Sequence, residues 1–218
     1  MYKSLLRYHA LINLHHQRMC PSIDILTGPL IPSIQAHIDV CPTCRTIVQN
    51  SINAKIWERN LPKLRSLQFI NNSLKITPGQ LWTISNQIID GWCDDNNYYN
   101  APTVLVINTY EYNVARVAQV CNYPSLASIN DVYLTASIPC FVETWNVFSL
   151  PFDWLNGYCG TITENELNMT VLKHFTPLHE DHDDLLLHDF HQMEIVHSAH
   201  YAIAATSYVT QATCSLKQ

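Results

Sequence analysis

The residues best suited to chemistry are His37, Cys41 and Cys44, in the run His-Ile-Asp-Val-Cys-Pro-Thr-Cys. Residues four apart share a helix face, so His37 and Cys41 can approach one ion, with Cys44 in reach three residues on. Imidazole and thiolate together suit a tetrahedral zinc ion. Cys20, which like Cys41 precedes a proline, is the fourth donor expected, and His15 and His16 are its substitutes. The set Cys20, His37, Cys41 and Cys44 is closed to catalytic water, so the expected Zn2+ is structural. Unliganded core thiols and a Cys-x-x-Cys redox pair are competing readings. A redox pair, however, needs no histidine one helical turn upstream.

The rest of the composition narrows the setting. The chain has 218 residues, of which 14% are charged, and a net charge of −6. Charged residues usually make up about a quarter of a globular chain, so much of this surface is expected to be neutral or covered by a protein partner. The negative balance argues against direct nucleic-acid binding. No apolar run approaches the ~20 residues that span a bilayer, and no signal peptide is read at the start. A cytoplasmic, reducing location is therefore expected, in which eight cysteines are not a disulfide framework.

These donors need elements to hold them. The fold class expected is α+β: a small helical zinc-binding module over residues 1–60, a small, mostly antiparallel β barrel or sandwich over 61–160, and a histidine-rich helix and tail over 161–218. Linkers are expected at 60–77 and 161–168. Strands are expected at 80–84, 103–107, 113–120, 131–134 and 141–148, where β-branched and aromatic runs are bounded by Asn, Asp, Gly and Pro. Residues 91–100 read as a loop. In 141–148 neither face is wholly apolar, which suggests an edge or an interface. After Cys44 an apolar stripe runs through Ile47, Val48, Ile52, Ile56 and Trp57 at three-to-four spacing. Its far end, Ile52, Ile56 and Trp57, is the expected partner-binding surface.

The C-terminal part carries three His-x2-His pairs, His179/His182, His188/His191 and His197/His200. A helix is expected to start at Thr176-Pro177. Its apolar arc would hold Leu185, Leu186, Phe190, Met193, Val196 and Ile203, with His197 and His200 inside the arc and His188 and His191 outside it. Packed or solvated histidines are preferred here over a second metal site.

Cys20-Pro21 and the run His37 to Arg45 resemble the zinc-finger family of zinc-binding anti-sigma factors. That resemblance covers residues 15–60 and implies a module that wraps a sigma factor. The whole chain also resembles accessory proteins of CRISPR loci that pair a sigma factor with a protease, although no single motif carries that likeness. A second resemblance begins at Thr77-Pro78-Gly79-Gln80-Leu81-Trp82 and continues at Ala101-Pro102-Thr103-Val104-Leu105-Val106-Ile107. These segments are similar to the opening of the PemK/MazF-type toxin barrel, an SH3-like fold whose members cut single-stranded RNA. Asn100-Ala101 stands where that family commonly has arginine. Between Arg65 and Lys173 the only basic residues are Lys75 and Arg116, and no histidine occurs between residues 38 and 173. RNA cleavage without metal needs proton transfer and a cation at the phosphate, so a catalytically empty barrel is expected.

The function these observations imply is a non-enzymatic regulator whose zinc module binds a protein partner, a sigma factor, to control transcription. The alternatives are a divergent PemK/MazF-like endoribonuclease toxin and a structural subunit of an assembly with a purely structural zinc.

Overall fold

The structure, a computed structural model, describes residues 2–26, 28–51, 75–85, 91–92, 98–135, 139–176 and 184–215. Among the described residues, four helices come first: α1 (Tyr2–Met19), α2 (Ile23–Leu26), α3 (Pro32–Val40) and α4 (Pro42–Ser51). Eight strands follow: β1 (Gln80–Ile84), β2 (Gly91–Trp92), β3 (Tyr98–Tyr99), β4 (Thr103–Tyr110), β5 (Val114–Cys121), β6 (Val132–Leu134), β7 (Cys140–Pro151) and β8 (Leu155–Thr161). Helices α5 (Glu164–His174) and α6 (Leu185–Ser215) complete the order.

Six strands form one sheet in the order β6-β7-β5-β4-β1-β8, with every pairing antiparallel. The α+β class expected from the sequence is the one observed. Central β4 explains its own apolar run: Val104, Leu105 and Val106 are all fully buried because both faces of the strand are covered. One face packs Trp82, Val104, Val106, Val117 and Leu150 against Tyr201 and Ala205 of α6. The other packs Leu105, Ile107, Ala118, Val120 and Val142, with Leu167 of α5 beside them. Further along the first face, Ala10 and Leu14 of α1 meet Phe141, Leu187 and Phe190. The Pro78-Gly79 turn acts as expected. Gly79 holds φ +88°, donates its N–H to Val106 and accepts from Ile162.

Two irregularities matter for the chemistry. Between Val106 and Asn108 the register of β4 on β5 slips, leaving Ile107 as an extra residue. On β7 the register jumps from Ala118↔Val147 to Val120↔Val142. Glu143, Thr144, Trp145 and Asn146 thus bulge opposite Gln119, and their backbone groups leave the ladder.

Several expectations are corrected here. Strand β7 lies between β5 and β6, so it is not an edge. Its mixed faces reflect the bulge and the buried polar groups that it carries. Strand β8 was not expected, because Gly157 and Gly160 interrupt its pattern. The segment 91–100 holds a short β2–β3 ribbon instead of a loop. The segment 161–168 enters α5, whose start is a capping box: Thr163 accepts from Glu166 N–H while Glu166 accepts from Thr163 N–H. Thr176 sits past the end of α5, and the long helix begins at Leu185. Its buried face is also different. Leu187, Phe190, His191, Glu194, His197 and Tyr201 are buried, whereas Val196 and Ile203 are exposed. Arg18 of α1 donates to Glu194, and the Asn100 carbonyl accepts from His197, so hydrophobicity alone misplaces the face. The His179/His182 pair, Ile52, Ile56, Trp57 and most of the 60–77 linker lie outside the described residues.

Candidate functional site

Three elements bring the thiols and imidazole together. The end of α1 delivers Cys20, whose N–H bonds to His16 C=O. Helix α3 delivers His37 in its last turn and ends at Cys41, an extended residue whose N–H still reaches His37 C=O at 2.8 Å. Pro42 has no N–H to continue α3, and it starts α4 as a first-turn proline. That break turns Cys44 back toward His37.

The donor atoms of Cys20, His37, Cys41 and Cys44 all lie within 4.8 Å of one another. Cys20 and Cys41 sulfurs are 3.9 Å apart, and His37 Nε2 is 3.3 Å from Cys44 Sγ. A zinc tetrahedron with bonds of about 2.3 Å has sulfur–sulfur edges of about 3.8 Å, so the spacing fits the ion. A Cys/His cluster that could hold a metal ion is therefore present, with Cys20 and not His15 or His16 as its fourth member. His16 is nevertheless near, its Nε2 3.8 Å from Cys44 Sγ. Hydrogen bonding, chiefly from Cys20, draws the Cys44 thiol below its ordinary value despite burial. Burial, followed by the neighbouring His16 and His37, lowers His15. Leu26, Ile34 and Ile38 close around the sulfurs, with Ile47 and Val48 half-buried against them. A cavity of about 220 Å3 lies beside Cys20 and Cys41, lined by Leu11, Ile12, His15 and His16.

Groups that the sequence did not single out fasten this module to the sheet. Asn100 donates from its side chain to the carbonyls of Gln17 and Cys20, at 2.9 and 2.8 Å. Its carbonyl accepts from His197 Nε2 at 2.9 Å. Arg18, only 4% exposed, donates to Glu194 and to the Val120 carbonyl, both at 3.2 Å. Glu143 is fully buried nearby and accepts from Asn146 at 2.8 Å. Burial and the Glu194 charge push the Glu143 carboxyl well above its ordinary value, with Arg18 opposing. Burial and Arg18 take His197 down to about 3, leaving it neutral.

A second polar site lies on the opposite face of the sheet, where both bulges converge. Arg116 Nη2 is 3.0 Å from His174 Nε2, and His174 Nδ1 is 2.9 Å from the carbonyl of Thr144 in the β7 bulge. Ile107, Asn108, Tyr110, Val171 and Phe175 complete a cavity of about 230 Å3 around the pair. Lys173 anchors the end of α5 by donating to the carbonyls of Ile129 and Asp131, at 2.7 and 2.8 Å. Sequence spacing held no signal for this pairing, since 58 residues separate its members.

No protein-family model matches the chain, and so none supports the anti-sigma resemblance. No curated protein matches it. Among solved structures it is similar to an endoribonuclease in complex with its cognate antitoxin from a mycobacterial species. The identity is 16% and the TM-score 0.37, over 49% of this chain and all (100%) of that one. It is also similar to an endoribonuclease from a mycobacterial species, at 15% identity and a TM-score of 0.36, over 48% of this chain and 93% of that one. The expectation of a non-enzymatic chain is corrected to this extent: the solved structures it is similar to are endoribonucleases.

Proposed function

We propose that this chain is a regulatory protein whose N-terminal module, stapled by zinc, binds a protein partner. The observation that carries the reading is the closed cluster of Cys20, His37, Cys41 and Cys44. Bound zinc would supply structural cross-linking, tying the end of α1 to the α3–α4 junction. The module also exposes large apolar residues: Leu5, Leu6, Tyr8 and Ile12 on α1, and Leu30, Ile31 and Val40 around α3. Ile52, Ile56 and Trp57, outside the described residues, are the contact residues proposed, on their three-to-four spacing in the sequence after Ile47 and Val48. The partner proposed is a sigma factor, on the resemblance of Cys20-Pro21 and His37 to Arg45 to zinc-binding anti-sigma factors. Co-purification of the tagged full chain with sigma factors of its host tests this. A stoichiometric complex that is lost in Cys41→Ser is expected, and its absence with zinc-loaded protein removes the sigma-factor assignment.

A second reading rests on its own observation, the Arg116–His174 pair. Sequence alone left Arg116 without a proton-transfer partner, and the fold supplies one. In this reading the β domain cleaves single-stranded RNA. His174 takes the proton of a ribose 2′-hydroxyl, O2′ bonds to phosphorus, and the P–O5′ bond breaks. The leaving oxygen takes a proton from water, while Arg116 offsets charge on the phosphate. Cleavage of single-stranded RNA by the purified chain, reduced at least about 100-fold in His174→Asn, is expected if one proton-transfer group is lost. Undiminished cleavage in that variant, or none in the native chain, refutes the reading.

A further inference from the structure

The hydrogen-bond partners of His174 define its tautomer. A carbonyl can only accept, so the contact with Thr144 O places the proton on Nδ1. A guanidinium can only donate, so the contact with Arg116 places the lone pair on Nε2 and occupies it. The nitrogen able to take a proton is thus the one that arginine covers. Thr144 lies in the β7 bulge, where the backbone leaves the regular ladder, and Arg116 pairs with Asn108 directly beside the extra residue Ile107 of β4.

The surroundings suit a nucleotide strand. Tyr110 lines the cavity and is exposed, as is Phe175 on its α5 side. Tyr112 stands at the tip of the β4–β5 hairpin, 93% exposed, and holds φ 64°, a left-handed conformation that costs a tyrosine free energy. Exposed rings beside a cation are the elements with which proteins stack bases and hold a phosphate.

We propose that Arg116 is a phosphate-released cap on His174: in the free protein it covers Nε2, and a phosphodiester drawing the guanidinium to itself uncovers that nitrogen for the 2′-hydroxyl. This rests on the RNA reading and adds its regulation, since the base is freed only when a phosphate is in place. A guanidinium gains more from a bidentate phosphate contact than from one neutral imidazole nitrogen, so the exchange runs toward the strand.

Histidine-selective 15N NMR of the full chain tests the cap, with His174→Asn identifying the His174 signals and a 2′-O-methyl hexaribonucleotide, which cannot be cleaved, as probe. In the free protein His174 should show protonated Nδ1 and bare, hydrogen-bonded Nε2. Arg116→Met should move the Nε2 signal and leave Nδ1 in place. The probe should move the wild-type Nε2 signal from its free-protein position while leaving Nδ1 in place, and this arm does not need Arg116→Met to fold. Binding of the probe by fluorescence anisotropy with no Nε2 shift overturns the cap while leaving the RNA reading standing. Failure of the probe to bind at all overturns both, and the anisotropy signal tells the two failures apart.

Discussion

Around Cys20 and Cys44 the N-terminal module buries Leu26, Ile34 and Ile38 as its main apolar filling. The sheet, in contrast, buries apolar residues on both faces, from Trp82 and Val104 on one to Leu105 and Val142 on the other. The sheet's two packed layers can hold themselves together. The module is too small for that, and small units commonly need a metal or a cross-link. The Cys/His cluster that could hold a metal thus lies where the apolar filling is thinnest. The comparison also shows what joins the regions: a polar seam built on Arg18, Asn100, Glu194 and His197, next to Cys20 just past the end of α1.

The largest effect expected comes from removing the metal. Structural zinc contributes on the order of 10 kcal/mol or more to the fold that it holds. Native mass spectrometry should show one zinc per chain, and Cys41→Ser or chelation should release it. Hydrogen exchange should then show α3 and α4 unprotected while β4 and β5 keep their protection. Loss of protection across the sheet as well would break the comparison, and unchanged exchange would remove the metal from it.

Next in size is the seam. Arg18→Met leaves two carboxylates buried without their cation, a loss of about 3–5 kcal/mol for a broken buried pair. A fall in melting temperature is expected, and Arg18→Met with Glu194→Leu should recover part of it. Equal destabilisation in the double variant would mean that packing, not charge, joins the regions.

A smaller effect is expected at Trp57, outside the described residues. If it anchors the partner, Trp57→Ala costs about 2 kcal/mol, or roughly 30-fold in affinity. Melting temperature measured on the same variant separates lost contact from lost fold.

The smallest effect sharpens the seam by pH. The Glu143 carboxyl is raised in the folded protein, so its contribution is fully present below its ordinary value of 4.5 and is lost as pH rises through the raised value. Glu166 behaves oppositely. Burial opposes its charge, but hydrogen bonds from Thr163 and Thr135 hold it at about 2. Its contribution is present above 4.5 and is lost as pH falls toward 2. Urea denaturation across pH should show Glu143→Gln flattening the alkaline side only, and Glu166→Gln the acid side only.

What could be read from the chain was local. The His37, Cys41 and Cys44 spacing is one helical turn and a short step, and the structure brings these three together with Cys20. The strand at Gln80–Ile84 and the doubly buried run in β4 followed from alternation and β-branched content. Strand β8 escaped because its glycines carry no side-chain pattern, and the face of α6 escaped because buried His191 and Glu194 fall outside the apolar arc that includes exposed Val196 and Ile203.

Sequence by itself thus determined the donor set and most of the sheet's strands, because spacing within a helix turn and alternation along a strand are set by backbone geometry alone. Only the tertiary structure decided that Arg18 meets Glu194 across 176 positions and that Arg116 meets His174 across 58. Those meetings depend on strand order, two register slips and the packing of α5 and α6 on opposite faces of the sheet. Such features arise from the sum of many weak long-range contacts, and no short run of residues encodes them.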